Sequence, residues 1–152
     1  MPLAYLSLGS NLGNREENLW EAIKLLARST GEIIQKSAVY EYKPWGFDSE
    51  NLFLNMAVGL KSNLEPFDLL RAIKEIETRM GREPATDGYC DRPVDIDIIF
   101  YDDLILETDG LIIPHPLMHK RKFVLEPLAE IAPDKEHMHI GKTVKELYGS
   151  LK

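Results

Sequence analysis

The order of predicted strands and helices restricts the fold of this 152-residue chain more than any other feature of its sequence. Short apolar runs bounded by turn residues predict strands, and these lie at residues 3–8, 32–42, 52–60 and within 92–102. Apolar residues at helical spacing predict one helix that begins after Asn14 and a second that ends at Met80. The second begins at Glu65 or at Pro66, which suits the first position of a helix. The order β-α-β-β-α-β is that of the ferredoxin-like split βαβ pattern, so we expect an α+β fold with two helices on one face of an antiparallel sheet.

The C-terminal third of the chain adds smaller elements to this core. Residues 102–116 predict a hairpin, and the segments 123–133 and 143–152 predict short helices. No repeat, low-complexity tract or linker divides the chain, so we expect one domain over residues 1–152. With both longer helices on one face of the sheet, we expect the other face to be free for a binding site.

Charge and composition narrow the range of partners. The net charge of −7 argues against nucleic acid or an acidic membrane surface as the main partner. Cys90 is the only cysteine, which excludes an internal disulfide and a cysteine-rich zinc site. The N-terminus lacks the basic and apolar regions of a signal peptide, and no apolar run approaches the ~18 residues that a membrane span needs. We therefore expect a protein of the cytoplasm, and we expect it to be a monomer.

Two aspartates interrupt the apolar strand within the segment RPVDIDIIFYD. Alternation along a strand places the side chains of Asp95 and Asp97 on one face, roughly 6.5–7 Å apart. At an effective dielectric constant near 20, their repulsion is on the order of 2 kcal/mol. One interpretation is a strand that simply presents alternating polar residues to solvent. The other is a site for Mg²⁺, which prefers oxygen ligands and often binds between one or two carboxylates and substrate phosphates.

Positive side chains flank this strand in an otherwise acidic chain. Arg82 and Arg92 lie near the two ends of the polar loop before it, and residues 115–122 carry two histidines and three basic residues. A solvated surface charge explains any one of these residues, whereas their clustering on both sides of the aspartates favours contacts with phosphate. The chain shows no motif for a protein nucleophile, so covalent catalysis is not indicated.

Several aromatic side chains fall outside the apolar stripes of the predicted elements. They are Trp45, Phe47, Phe53, Tyr89 and Phe123. Packing explains each of them singly, but Asn55 shares a strand face with Phe53 and favours a second interpretation. Aromatic rings stack on a flat heterocycle and an amide pairs with its edge, so a heterocyclic ligand fits this combination.

Four segments of the chain resemble one enzyme family. The segments are YLSLGSNLGNREENL, FLNMAV, RPVDIDIIFYD and IIPHPLMHKRKFVLEPLAEIAP, and together they extend from about residue 4 to residue 133. They are similar to the 6-hydroxymethyl-7,8-dihydropterin pyrophosphokinases of folate biosynthesis in their stand-alone, single-domain form. The resemblance implies Mg²⁺-dependent transfer of pyrophosphate from ATP to the 6-hydroxymethyl group of the dihydropterin, with release of AMP.

The resemblance also implies roles for individual residues. Asp95 and Asp97 would hold two Mg²⁺ ions, and Arg82 and Arg92 would be catalytic residues that neutralise the transferred group. The implied ATP contacts are Glu77, Arg82, Arg92, Ile98, Ile112, His115 and Arg121. The implied pterin contacts are Gly9, Tyr42, Pro44, Trp45, Phe53, Asn55, Tyr89 and Phe123.

Four positions depart from the family's better-known bacterial pattern. Phe53 stands where a tyrosine is common, and Tyr89 stands where a tryptophan is common. Pro84 takes the place of a loop arginine, and Pro116 takes the place of a tyrosine near the nucleotide. The aromatic replacements keep a stacking surface, whereas the two prolines remove a polar side chain.

Two other functions remain open on the sequence alone. One is another Mg²⁺-dependent nucleotide transferase that uses an Asp-x-Asp pair. The other is a ferredoxin-like module that binds ATP as a sensor without turnover. AMP as the nucleotide product distinguishes the pyrophosphokinase from the first, and dependence of AMP release on the pterin distinguishes it from the second.

Overall fold

The structure, a computed structural model, describes residues 1–44, 51–81 and 93–151 of the chain. Its centre is a sheet of five strands, which are β1 (Leu3–Ser10), β2 (Glu32–Lys36), β3 (Tyr40–Tyr42), β4 (Phe53–Lys61) and β5 (Asp95–Tyr101). The order across the sheet is β2-β4-β1-β5, β3 also pairs with β4, and each of these pairings is antiparallel. The α+β prediction with a ferredoxin-like core is confirmed.

Two helices cover one face of this sheet, as predicted. They are α1 (Arg15–Ser29) and α2 (Pro66–Arg79). The side chain of Asn14 caps α1 by accepting a hydrogen bond of 3.2 Å from the backbone of Glu17, and Pro66 occupies the first turn of α2. Leu6 of β1 and Leu19 of α1 are fully buried in the core that this packing creates.

Two further helices cover part of the opposite face. They are α3 (Lys122–Ile131) and α4 (Val144–Gly149). A bulge in β5 makes Ile99 an extra residue between the pairs Leu6–Ile98 and Tyr5–Phe100. Ile99 and Phe100 both pack with residues of α3 and α4 in a second core. The expectation of a free second face is therefore wrong for this part of the sheet.

The predicted strand over residues 32–42 is interrupted and forms β2 and β3. Between these strands, Ser37 N–H donates to the carbonyl of Ala57, and Ala57 N–H donates to Ser37 Oγ, each at 2.9 Å. The backbone N–H of Ala38 donates to the Glu130 carboxylate of α3 at 3.1 Å. Because side-chain acceptors replace the ladder bonds here, the pairing with β4 is broken between β2 and β3.

The predicted hairpin after β5 is present and is followed by small elements. It consists of β6 (Leu106–Glu107) and β7 (Ile112–Ile113). A 3₁₀ turn over Met118–Lys120 precedes α3, and a hairpin of β8 (Glu136–His137) and β9 (Lys142–Thr143) precedes α4. Thr143 and Glu146 form a capping box at the start of α4. In the part of the chain that the structure describes, no helix has both the length and the apolar character to cross a membrane.

Candidate active site

Strand register gathers the two aspartates and Asn55 on one face of the sheet. In the antiparallel pairing, Asp95 lies opposite Gly9 and Asp97 lies opposite Ser7. Across the other edge of β1, Gly9 lies opposite Asn55. Residues directly opposite each other point to the same face, so Asn55, Gly9 and Asp95 form a row across three strands. Two interstrand spacings separate the ends of this row, a distance of roughly 10 Å.

The amide of Asn55 occupies space that only a glycine at position 9 leaves open. A β-carbon on Gly9 would lie 2.6 Å from the Asn55 Nδ2 atom. Asn55 is 4% exposed, and no group among the described residues donates a hydrogen bond to its Oδ1 atom. A buried carbonyl oxygen without a donor costs roughly 1–3 kcal/mol. An N–H group of a ligand would recover that free energy.

The carboxylates of Asp95 and Asp97 repel each other. Burial and the neighbouring Asp95 carboxylate raise the pKa of Asp97 from 3.8 to about 7. The charge of Arg121 opposes this rise, Glu77 adds to it, and Lys74 opposes it. Full ionisation of the pair near neutral pH therefore has a free-energy cost, which a bound cation would remove.

Glu77 fixes the backbone between the two aspartates. It is 1% exposed, and its Oε2 atom accepts a hydrogen bond of 2.9 Å from the backbone N–H of Ile96. Its Oε1 atom lies 3.6 Å from the Lys74 Nζ atom on the same helix. Since Ile96 lies between Asp95 and Asp97, this bond holds the edge of β5 against α2. The predicted contact of Glu77 with ATP stays a prediction.

Arg121 places a cation near Asp97, and His115 is a neutral donor on which the charge of Arg121 also acts. The backbone N–H of His115 donates to the Ile99 carbonyl of β5 at 3.1 Å. Burial and the charge of Arg121 lower the pKa of His115 to about 4, so its ring is neutral at physiological pH. The His115 Nδ1 atom accepts from the Leu117 N–H at 3.2 Å, which leaves the ring proton on Nε2 as a donor. Arg121 is 6% exposed, and its charge also acts on Asp97.

Aromatic rings line the same face at β3 and β4. Tyr42 lies opposite Phe53 in the pairing of these strands and so shares its face. The centroid of the Tyr42 ring is 6.4 Å from that of Phe123 at the start of α3. The guanidinium carbon of Arg121 lies 5.6 Å from the centroid of the Phe123 ring. The structure thus brings together three of the aromatic residues predicted to contact a pterin.

Three other predicted site residues lie at the margins of this arrangement. Ile98 is 4% exposed and packs in the core with α1 and α2, on the face opposite the aspartates. Only its backbone is therefore available to a ligand. Ile112 is 41% exposed and lines a cleft of about 680 Å³ together with His115. Pro44 is partly buried where the described segment after β3 ends.

Some of the predicted site residues lie outside the described part of the chain. These are Trp45, Arg82, Tyr89 and Arg92. The same applies to Phe47 and Pro84. Their predicted roles stay predictions.

The oxygen donors on this face fit magnesium. Within residues 1–44, 51–81 and 93–151, no three His, Cys, Asp or Glu side chains are grouped so that they alone could hold a metal ion. Mg²⁺ does not need such a group, because it commonly binds one or two carboxylates and completes its shell with waters and substrate phosphates. Asp95 and Asp97 share a face and repel each other, so they supply carboxylates of this kind.

The acidic partners of the aromatic residues were not predicted from the sequence. Glu126 of α3 accepts hydrogen bonds from the hydroxyls of Tyr42 and Tyr148, each at 2.6 Å. Glu130 accepts from the Tyr40 hydroxyl at 2.7 Å. The spacing of four residues between the two glutamates indicates a shared helix face. Their tyrosine partners lie on β3 and α4, and no local signal in the sequence pairs them.

One family model matches most of the chain. Residues 5–133 match the family described as 7,8-dihydro-6-hydroxymethylpterin-pyrophosphokinase. The 2-amino-4-hydroxy-6-hydroxymethyldihydropteridine pyrophosphokinase of Porphyromonas gingivalis is 43% identical over 136 residues, which cover 88% of this chain and 92% of that protein. The protein of the same name from Bacillus subtilis is 42% identical over 135 residues, which cover 88% and 80%. The one from Aquifex aeolicus is 40% identical over 146 residues, which cover 96% and 90%.

Solved structures share this fold at lower sequence identity. A crystal structure of wild-type Plasmodium falciparum HPPK-DHPS with SDX-DHP aligns with a TM-score of 0.79 and 20% identity, covering 99% of this chain and 43% of that chain. A crystal structure of an HPPK-DHPS in complex with substrates aligns with a TM-score of 0.78 and 18% identity, covering 98% and 43%. This chain therefore spans less than half of those longer chains, and at this identity the likeness establishes the fold alone.

Proposed function

This chain belongs to the 7,8-dihydro-6-hydroxymethylpterin-pyrophosphokinase family, and on that premise we propose that it transfers pyrophosphate from ATP to the 6-hydroxymethyl group of 6-hydroxymethyl-7,8-dihydropterin and releases AMP. The protein is an ATP-dependent diphosphotransferase of folate biosynthesis. The observation that supports this proposed reaction is the row of Asn55, Gly9 and Asp95 on one sheet face. Its length of roughly 10 Å suits a bicyclic ring at one end and phosphates at the other.

Asp95 and Asp97 would hold Mg²⁺ together with the phosphates of ATP, and two ions are proposed. When bound, Mg²⁺ offsets the negative charge of the triphosphate and of the group in transfer. Repulsion between the carboxylates, which contributes to the raised pKa of Asp97, favours cation binding. The hydrogen bond from Ile96 to Glu77 keeps the strand backbone in place, so the two carboxylates are preorganised.

The basic residues would bind and neutralise the phosphates. Arg121 supplies a fixed cation near the carboxylates, and His115 supplies its Nε2–H as a neutral donor. Arg82 and Arg92 are the proposed catalytic residues that neutralise the transferred group. The other proposed ATP contacts are Glu77, Ile112 and the backbone of Ile98.

The pterin would bind at the opposite end of the row. The buried Oδ1 atom of Asn55 has no donor among the described residues, so it suits the N–H groups on the edge of the heterocycle. Phe53 and Phe123 supply ring faces for stacking. The other proposed pterin contacts are Gly9, Tyr42, Pro44, Trp45 and Tyr89.

The proposed reaction is a single displacement at the β-phosphorus of ATP. The pterin hydroxyl oxygen loses its proton to water and forms a bond to that phosphorus, while the bond from the phosphorus to the α–β bridging oxygen breaks. AMP leaves with the bridging oxygen. No covalent protein intermediate is involved, so the residues of this chain contribute by binding, orienting and neutralising charge.

The proposal extends to the domain organisation, oligomeric state, location and partners of the protein. We propose one pyrophosphokinase domain over residues 1–152, because both apolar cores share the central sheet and the family match covers residues 5–133. A monomer and a cytoplasmic location stay predictions. ATP and a reduced pterin are the proposed partners, with no role for nucleic acid or a membrane.

AMP formation tests this function. We expect the purified protein to release AMP only when ATP, Mg²⁺ and 6-hydroxymethyl-7,8-dihydropterin are all present, with equimolar pterin pyrophosphate. Omission of any one component is expected to reduce AMP to background. ADP as the nucleotide product would contradict the proposal and indicate another nucleotide transferase. ATP binding without pterin-dependent AMP release would contradict it in favour of a nucleotide-binding module.

Replacement of Asn55 by alanine is expected to weaken pterin binding selectively. Loss of buried hydrogen bonds to the heterocycle should cost roughly 1–3 kcal/mol, whereas ATP affinity should change little. Calorimetry with each ligand measures both effects. Asn63, an exposed residue, provides the matched control as Asn63→Ala, for which we expect no change. Equal losses for pterin and ATP in Asn55→Ala would remove Asn55 from the pterin site.

A further inference from the structure

Glu126 joins three separate parts of the fold through one carboxylate. The hydroxyl of Tyr42 on β3 donates to its Oε1 atom at 2.6 Å. The hydroxyl of Tyr148 on α4 donates to its Oε2 atom, also at 2.6 Å. Hydrogen bonds this short to an ionised acceptor are among the stronger ones in proteins. The carboxylate of α3 therefore restrains the ring of Tyr42 from one side.

The ring that Glu126 restrains, that of Tyr42, belongs to the aromatic wall of the site, which consists of Tyr42, Phe53 and Phe123. Tyr42 lies opposite Phe53 across the β3–β4 pairing, and its ring is 6.4 Å from that of Phe123. Phe123 and Glu126 are three residues apart on α3, so they lie on the same side of the helix. The same helix thus places the Phe123 ring beside Tyr42 and binds the Tyr42 hydroxyl.

We propose that Glu126 is a positioning residue for pterin binding: it fixes Tyr42 against Phe123, so that the wall is formed before the substrate arrives. This inference rests on the proposed function, which assigns Tyr42 and Phe123 to the pterin site. A preformed wall binds its ligand more tightly because less side-chain freedom is lost on binding. Burial and the Glu126 carboxylate raise the pKa of Tyr42, so its hydroxyl remains a donor at physiological pH.

Glu130 offers a matched control on the same helix. It lies one turn beyond Glu126, is exposed, and accepts a hydrogen bond of 2.7 Å from the hydroxyl of Tyr40. It also accepts from the backbone of Ala38 at 3.1 Å. Glu130 therefore has the same length, charge and type of partner, but it does not bind the tyrosine that contacts Phe123.

Steady-state kinetics of Glu126→Ala and Glu130→Ala test the inference. For Glu126→Ala we expect the KM for 6-hydroxymethyl-7,8-dihydropterin to rise by about tenfold, the size expected for the loss of a hydrogen bond to a charged group. The KM for ATP and kcat are expected to stay within about twofold. For Glu130→Ala we expect all three parameters within about twofold of the wild type. Glu126→Gln keeps one acceptor oxygen and the side-chain shape, and we expect an intermediate rise.

A double variant separates positioning from general loosening of the fold. Tyr42→Phe removes the same hydrogen bond from its other end, so its effect on the pterin KM should not add to that of Glu126→Ala. Additive effects would overturn the inference, as would an unchanged pterin KM in Glu126→Ala and Glu126→Gln. An equal rise in Glu130→Ala would overturn it too. If the wild type released no AMP, the proposed function would fail, and fluorescence titration with the same pterin would still measure the effect of Glu126 on binding.

Discussion

Turnover by the Asp97→Asn variant is expected to fall by about three orders of magnitude or more while the protein stays folded. Asparagine keeps the shape of the side chain but removes a charged ligand from the proposed magnesium site. Mg²⁺ contributes several kcal/mol of charge stabilisation in transfers of this kind, and a neutral amide cannot hold it equally well. Initial rates of AMP formation at saturating substrates measure this loss. Asp134→Asn changes an exposed aspartate and should keep the wild-type rate.

The same substitution is expected to stabilise the metal-free protein at alkaline pH. The pKa of Asp97 is 3.8 in the unfolded chain and about 7 in the folded protein. At pH values between these two, folded Asp97 holds a proton that the unfolded chain has lost. The wild-type free energy of unfolding should therefore decline as the pH rises through this window and then level off. Asparagine has no such penalty, so the variant should be about 1–3 kcal/mol more stable than the wild type at pH 8 and nearly equal to it near pH 4.

Urea unfolding with EDTA at the two pH values measures this difference. Stability gained together with activity lost would show that Asp97 is present for function rather than for the fold. A variant that is clearly less stable than the wild type at pH 8 and still active would contradict the magnesium-site assignment. It would favour the alternative of a strand with ordinary polar alternation.

Arg121→Ala is expected to lower kcat/KM for ATP by about a hundredfold, as for the loss of one preorganised charged donor. The buried guanidinium acts on both Asp97 and His115, so its loss should also raise the pKa of His115 toward the ordinary histidine value. Kinetics measure the first effect, and an NMR titration of the His115 ring measures the second. Lys122, the exposed neighbour, provides the control as Lys122→Ala, which should stay within about twofold of the wild type.

Two further results decide the assignment of Arg121. Arg121→Lys keeps a positive charge but loses the planar fork of donors, so we expect a rate between those of the wild type and Arg121→Ala. Near wild-type kcat/KM in Arg121→Ala would contradict the proposed phosphate contact. Equal losses in Arg121→Ala and Lys122→Ala would show that net positive charge, rather than this guanidinium, matters.

The main elements of the fold were predictable because their signals are local. Asn14 caps α1 within one turn, Pro66 starts α2, and Gly81 follows α2 with a φ of 100° that suits glycine. The interruption of the strand over residues 32–42 was not predictable in this way. It depends on the hydrogen bond from Ala57 to Ser37 and on the one from Ala38 to Glu130. The partners of each bond are distant in the sequence and meet only in the folded protein.

In the candidate site, too, the features with local signals were predictable, and those that depend on contacts between distant residues were not. Alternation predicted that Asp95 and Asp97 share a face, and the structure places them so. The alignment of Asp95 with Gly9 depends on the register of two strands that are far apart in the chain. The contact of Glu126 with its two tyrosines depends on where α3 packs, for which periodicity carries no signal.

Binding of α,β-methylene-ATP with and without Mg²⁺ tests most directly whether Asp95 and Asp97 hold the metal for the nucleotide. This analogue cannot lose its pyrophosphate, so calorimetry reports affinity alone. For the wild type, we expect Mg²⁺ to tighten binding by about tenfold or more, which corresponds to about 1.4 kcal/mol. In the double variant Asp95→Asn/Asp97→Asn, the affinity should be the same with and without Mg²⁺. An equal effect of Mg²⁺ on both proteins would contradict the assignment of these two aspartates as the metal site.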